Sequence, residues 1–176
     1  MKRRLAVAVA LVAALSMVMA VPATAKTPLE GDMKLYFNLG FGNEEAPCPG
    51  ITWAGTVELG GDMFGIAYFP VASADHGNSY HFEEVVELYE TPFEFTGGVL
   101  TACQPGGVVL AGTSHGVESN LKYRINGNVA DAYGSLAEWD GRKFRVRGHV
   151  TMHELVGPDG EIVLVPATAH GTFRLN

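Results

Sequence analysis

The chain has 176 residues, 47% of them hydrophobic, with 19 acidic against 12 basic side chains and a net charge of −7. That is the length of one folded domain. Its acidic balance argues against a nucleic-acid partner, whose phosphates need a basic surface, and disfavours plain electrostatic adhesion to an anionic membrane.

In chain order, Met1-Lys2-Arg3-Arg4, an apolar run from Leu5 to Val21 and Ala23-Thr24-Ala25 before Lys26 are the parts of a secretory signal peptide. The run is long enough to resemble a membrane anchor. The Ala-rich flank and the lack of a second hydrophobic segment favour cleavage after Ala25, which leaves no stable membrane span. No Cys follows the cleavage site, so a lipid anchor is not expected. Residues 26–176 then form the mature domain of 176 − 25 = 151 residues, with 12 − 3 = 9 basic and 19 acidic side chains, net −10. The expected location is secreted or periplasmic. In such a compartment disulfides persist, and Cys48 and Cys103 are expected to pair. The closed loop of about 56 residues is worth roughly 4 kcal/mol on the chain-entropy account. A catalytic thiol is the competing idea, and neither Cys stands beside a His.

Met33, Leu35 and Phe37 alternate with Lys34, Tyr36 and Asn38, a first strand ending at Gly40; GFGNEEAPCPG is turn-rich and reads as a loop carrying Cys48. Ile51, Trp53, Gly55, Val57 and Leu59 make a second strand, which returns through Gly60-Gly61-Asp62 into MFGIAYFPV. ASADHGNS reads as a loop. HFEEVVELYE fits a helical face or a strand; its shortness, its Val pair and its neighbours favour strand. GGVLTAC and GGVVLAGTSH read as a hairpin turning at Gln104-Pro105-Gly106. Asn126-Gly127 is a hairpin signal between two strands, and Ala130, Ala132 and Gly134 offer a small-residue face. After Asp140-Gly141 comes the longest alternation, with Phe144, Val146, Gly148, Val150 and Met152 on one face and Lys143, Arg145, Arg147, His149, Thr151 and His153 on the other. Gly157-Pro158-Asp159-Gly160 is another turn. The last strand sets Ala169, Gly171, Phe173 and Leu175 against Thr168, His170, Thr172 and Arg174.

Nine or ten short strands, no helix beyond the signal segment and an apolar strand at the very end predict an all-β domain: a closed antiparallel barrel of about eight strands. A β-sandwich or jelly roll is the alternative.

In NGNVADAYGSLAEWDGRKFRVRGHV, the residues Ala132, Gly134, Leu136, Gly141 and Gly148, with HGTFRLN as a closing strand, resemble the terminal half of allene-oxide-cyclase-like and dirigent-like barrels. The resemblance spans about fifty residues and rests on glycine spacing. It implies an eight-stranded barrel with an apolar central cavity, in families that bind or cyclise hydrophobic small molecules. It carries no catalytic residue over, because the first half of the chain offers no matching position.

Candidate site residues follow from the strand faces. Trp53, Phe64, Phe69, Tyr123 and Phe173 are expected to line a cavity for a small hydrophobic molecule. Glu84 shares a face with Phe82, Val86 and Leu88; a carboxylate turned into a barrel has its pKa raised by desolvation and can act as a general acid or base. The competing reading is a bulge or helix that turns Glu84 outward. The row Arg142, Lys143, Arg145, Arg147 reads either as a grip on an anionic ligand or as a solvated face paired with acids such as Glu83 and Glu87 on a neighbouring strand. His76, His81, His115, His149, His153 and His170 form no metal-ligand spacing, and no metal or cofactor is expected. No nucleophile elbow or phosphate loop is present, and adjacency puts Ser114 and His115 on opposite faces. The functional expectation is an exported barrel binding a small, largely apolar molecule. An isomerase or cyclase of the resembled type and a structural module without ligand are the alternatives.

Overall fold

The computed structural model describes residues 26–156 and 161–176; the expected signal segment, 1–25, and the turn at 157–160 lie outside the described residues. Ten strands follow one another: β1 (Leu29–Phe37), β2 (Trp53–Leu59), β3 (Asp62–His76), β4 (Ser79–Tyr89), β5 (Phe95–Thr96), β6 (Val99–Leu100), β7 (Val108–Ser119), β8 (Lys122–Ala132), β9 (Lys143–Val156) and β10 (Ile162–Leu175). Eight of them close into an antiparallel barrel in the order β1-β10-β9-β8-β7-β4-β3-β2, while β5 and β6 form a separate hairpin. The ring shuts where β1 pairs on one side with β2 and on the other with β10, Met33 standing opposite both Val57 and Gly171. The terminal strand thereby loses its open edge.

Pleating dictates which residues fill the barrel. Along β8, Tyr123, Ile125, Gly127 and Val129 are buried and their neighbours are exposed; along β9, Phe144 and Val146 are buried while Lys143, Arg145 and Arg147 are exposed. Each fully buried aliphatic or aromatic side chain contributes about 1.5–3 kcal/mol. The end of the barrel at which β2, β4, β8 and β10 finish is packed solid. There Phe144 and Phe173 stack at 5.3 Å between ring centroids, among Leu59, Leu88, Leu110 and Leu175. A short 3-10 helix, Gly134–Trp139, lies between β8 and β9 and buries Leu136 and Trp139 in the same core. Lys26 lies 4.3 Å from the Trp139 ring centroid and is ion-paired with Glu138.

A second, smaller core lies outside the barrel wall. Ala54, Ala67 and Tyr89 point outward from β2, β3 and β4, and are covered by Cys48, Ile51, Phe93 and Leu100 from the loops at 38–52 and 90–107. The expected bond joins these loops: Cys48 and Cys103 form a disulfide, Cα–Cα 5.3 Å. Asn38, fully buried, knots the same two loops. Its Nδ2 donates to the carbonyls of Cys48 (2.9 Å) and Ile51 (3.0 Å), and its Oδ1 accepts from the amides of Gly40 (3.0 Å) and Leu100 (3.3 Å).

Three local expectations are corrected. Asn126-Gly127 is not a turn but the middle of β8; Gly127 is needed there because a Cβ would overlap the Phe144 ring. The β7–β8 turn is made instead by Asn120 and Leu121, both at positive φ. Residues 72–76 are strand, not loop, because β3 runs on past a register shift between Pro70 and Ala72, at a proline that has no amide to donate to the ladder. Val99 and Leu100 pair with β5 rather than with β7, so GGVLTAC and GGVVLAGTSH are not two arms of one hairpin. The segment at 80–89 is strand, as its Val pair and neighbours favoured.

Candidate functional site

The two ends of the barrel differ. At the end where β1, β3, β7 and β9 finish, the interior is a cavity of about 570 Å³, within the range of small-molecule sites. Phe41, Tyr80 and Leu121, all substantially exposed, stand at its mouth with Glu118 and Met152. Its walls are Leu35, Phe37, Trp53, Phe82, Ile125 and Val150. The polar groups at its inner pole are Tyr68, Glu84 and Tyr123.

Tyr68 follows Phe64 and Ile66 on the inward face of β3, fully buried, and its hydroxyl donates to Met33 Sδ at 3.4 Å. Met33 stands opposite Gly171. The Tyr123 ring leans over its cross-strand partner Gly148 on β9 toward Gly171 on β10, and a Cβ at either glycine would overlap its hydroxyl. Tyr68 reaches toward the same region from β3, because its acceptor Met33 stands opposite Gly171. Tyr123 is 6% exposed and its hydroxyl has no hydrogen-bond partner among the described residues. Across from them, β4 pairs with β3 so that Glu84 opposes Pro70 while Tyr68 opposes Val86. Glu84 is thus a diagonal neighbour of Tyr68 on the inner face, within reach of a long side chain.

Burial sets the electrostatics of this pole. Desolvation pushes the Glu84 carboxyl up from 4.5 to about 7. The Tyr123 phenol is pushed up by burial, and that of Tyr68 by burial first and then by the nearby Tyr123 and Glu84. The Glu84 carboxyl meets no hydrogen-bond donor among the described residues; its backbone carbonyl accepts from Ser114 Oγ at 3.4 Å.

Of the wall residues expected from the sequence, Trp53 and Tyr123 line the cavity. Phe64 and Phe173 point inward but belong to the packed end and do not line the cavity. Phe69 is corrected outright: one pleat step from Tyr68, it faces away from the lumen and packs on the outer core. A strand cannot direct Phe64 and Phe69 to one face, because they differ in parity; the same parity selects Tyr68, which the sequence reading passed over. Phe82, which shares the Glu84 face, is a wall residue as well. Glu84 points into the cavity, so the outward alternative does not hold.

The basic row lies on the outside. Lys143, Arg145 and Arg147 are exposed, and Arg145 Nε donates to Asn126 Oδ1 at 3.2 Å. Pairing with Glu83 and Glu87 is ruled out by topology, since those acids ride on β4 and the neighbours of β9 are β8 and β10. Register instead sets Arg147 opposite Arg124 and Arg145 opposite Arg174. Among the histidines, His149 and His170 stack at 5.8 Å. Ser114 is buried and His115 exposed, on opposite faces as adjacency requires.

Fold and cavity together define a class, a small closed antiparallel β-barrel with an apolar pocket open at one end. Comparison with family models, curated proteins and solved structures finds no match to this chain.

Proposed function

We propose that the protein is an exported barrel that binds a small, largely apolar molecule in its central cavity. The observation that carries this reading is the asymmetry of the interior: one end is packed solid and plugged by Leu136 and Trp139, the other holds about 570 Å³ walled mostly by aliphatic and aromatic side chains. A module without a ligand gains by filling its lumen throughout, since cavities cost stability. The Cys48–Cys103 disulfide is compatible with life outside the cytoplasm. Small molecules released from the purified, folded protein and identified by mass spectrometry test the proposal. Recovery of one apolar species at near-stoichiometric yield is expected, and its loss in Ile125→Trp, which fills the pocket, should follow. Equal recovery from the filled variant would place the molecule elsewhere and end the reading.

A second reading, an isomerase or cyclase of the allene-oxide-cyclase-like kind, is favoured by one observation: Glu84 presents to the cavity a carboxyl titrating at about 7, suited to moving a proton near neutrality. On that reading Glu84→Gln retains binding of a neutral substrate and abolishes its turnover. Turnover undiminished in that variant would dismiss it.

A further inference from the structure

The cavity's polar groups are one-sided. Two of its lining residues are carboxylic acids, Glu84 at the inner pole and Glu118 at the mouth, and among the described lining residues none is Lys, Arg or His. Seven of the lining residues are aromatic, a surface whose faces attract cations. The pole itself is rich in acceptors. The Tyr68 hydroxyl donates its hydrogen bond to Met33 Sδ, which leaves its oxygen as an acceptor. The Tyr123 hydroxyl is buried against Gly148 and Gly171 without a partner among the described residues, and the Glu84 carboxyl meets no donor there. An unpaired carboxylate facing an apolar cavity costs free energy that a cationic ligand can restore.

We propose that the ligand is a hydrophobic amine, its protonated nitrogen paired with the Glu84 carboxylate, which the cavity presents without a cationic neighbour among the described residues, and its apolar body lying between Trp53 and Phe82 toward the mouth. A primary ammonium brings three N–H donors and a charge opposite to that of the carboxylate. A carboxylic acid is disfavoured in the same place, because its anion would face Glu84 with no cation to offset either charge. A neutral alcohol brings a single donor and no charge to set against the carboxylate. The inference rests on the cavity being a binding site and names the chemistry of its occupant.

The groups that face Glu84 set its pH response: Tyr68 from β3, Tyr123 from β8, and Glu118 toward the mouth on β7, with no titratable lining residue from β1, β2, β9 or β10 among those described. The phenols stay neutral throughout the accessible range, so ionisation of Glu84, centred at about 7, governs binding. Amine affinity rises as the pH rises, by about tenfold between pH 6 and pH 8, while a neutral ligand is unaffected.

The test uses three fluorescent probes that share a naphthylhexyl body and end in an amine, a hydroxyl or a carboxylate, titrated into the full barrel. The amine is expected to bind at least tenfold more tightly than the alcohol at about pH 8, and the carboxylate most weakly. Glu84→Gln should erase the preference for the amine while still binding the alcohol, and alcohol binding also shows that the variant is folded. Should that variant not fold, the pH dependence of the wild-type protein decides: an amine affinity that is flat between pH 6 and pH 8 overturns the proposal. Equal binding of amine and alcohol, or an amine preference that survives Glu84→Gln, overturns it too and leaves the apolar cavity reading standing. Failure of all three probes to bind removes that reading and this inference with it.

Discussion

The hydroxyl of Tyr123 occupies the space that a Cβ on Gly148 would need. Gly148 is the direct cross-strand partner of Tyr123, so a glycine on β9 decides where the phenol of β8 can lie. Gly148→Ala is expected to push Tyr123 off this floor and strain β9 against the β10 backbone, at a cost of about 1–3 kcal/mol for overpacking. Urea unfolding followed by tryptophan fluorescence measures it. An unchanged midpoint would show that the ring has room to move.

Glu84 links folding to pH in a direction opposite to the usual carboxylate. The folded chain holds this proton more tightly than the unfolded chain, whose value is near 4.5 against about 7 in the barrel. Its contribution is therefore fully present below about 4.5 and is lost as the pH rises through about 7, leaving the barrel destabilised by an ionised, poorly solvated carboxylate above that. Glu84→Gln should be more stable than the parent at pH 8, on the order of 1–3 kcal/mol, and show a smaller difference at pH 5. Thermal unfolding across that range checks both; a constant difference would place Glu84 in solvent.

Asn38 closes four hydrogen bonds that no apolar residue can replace. Asn38→Ala leaves two carbonyls and two amides buried without it, so a loss of about 2–4 kcal/mol is expected. Asn38→Asp should be no better, because a carboxylate cannot donate to the Cys48 and Ile51 carbonyls. Equilibrium unfolding midpoints of the two variants, with the disulfide intact, are the measurement.

Like charges face each other on the outer wall, Arg147 opposite Arg124 and Arg145 opposite Arg174. The last of these is relieved by Glu30 at 3.3 Å. Arg147→Glu turns one repulsive cross-strand pair into an attractive one and should stabilise the barrel by about 0.5 kcal/mol at low salt, an effect that fades toward 1 M salt as screening shortens. Parallel melting curves at low and high salt decide it.

Alternation over β8 and β9 was legible in the sequence because period two survives when one face meets a core and the other meets water; ring closure was legible from an apolar strand at the terminus. Glu84 was legible for the same reason, sharing a face with Phe82, Val86 and Leu88. What was not legible depended on partners far away in sequence. Asn126-Gly127 has turn chemistry, yet Gly127 exists to admit the Phe144 ring, and no local pattern announces that. The faces of β3 were obscured because the outer core makes both sides of that strand apolar, so Phe69 looked as internal as Tyr68. The pad that buries Phe69 hangs on Asn38 and the disulfide, contacts between segments about fifty residues apart.

The plug formed by Leu136 and Trp139 has a kinetic consequence. A vessel stoppered at its base permits no through-traffic, so any guest must back out past Phe41, Tyr80 and Leu121 by the route it came. Bulk added at that rim slows loading and escape in equal proportion and leaves the dissociation constant where it was, whereas any change at the pole alters how long the guest stays and how tightly it is held.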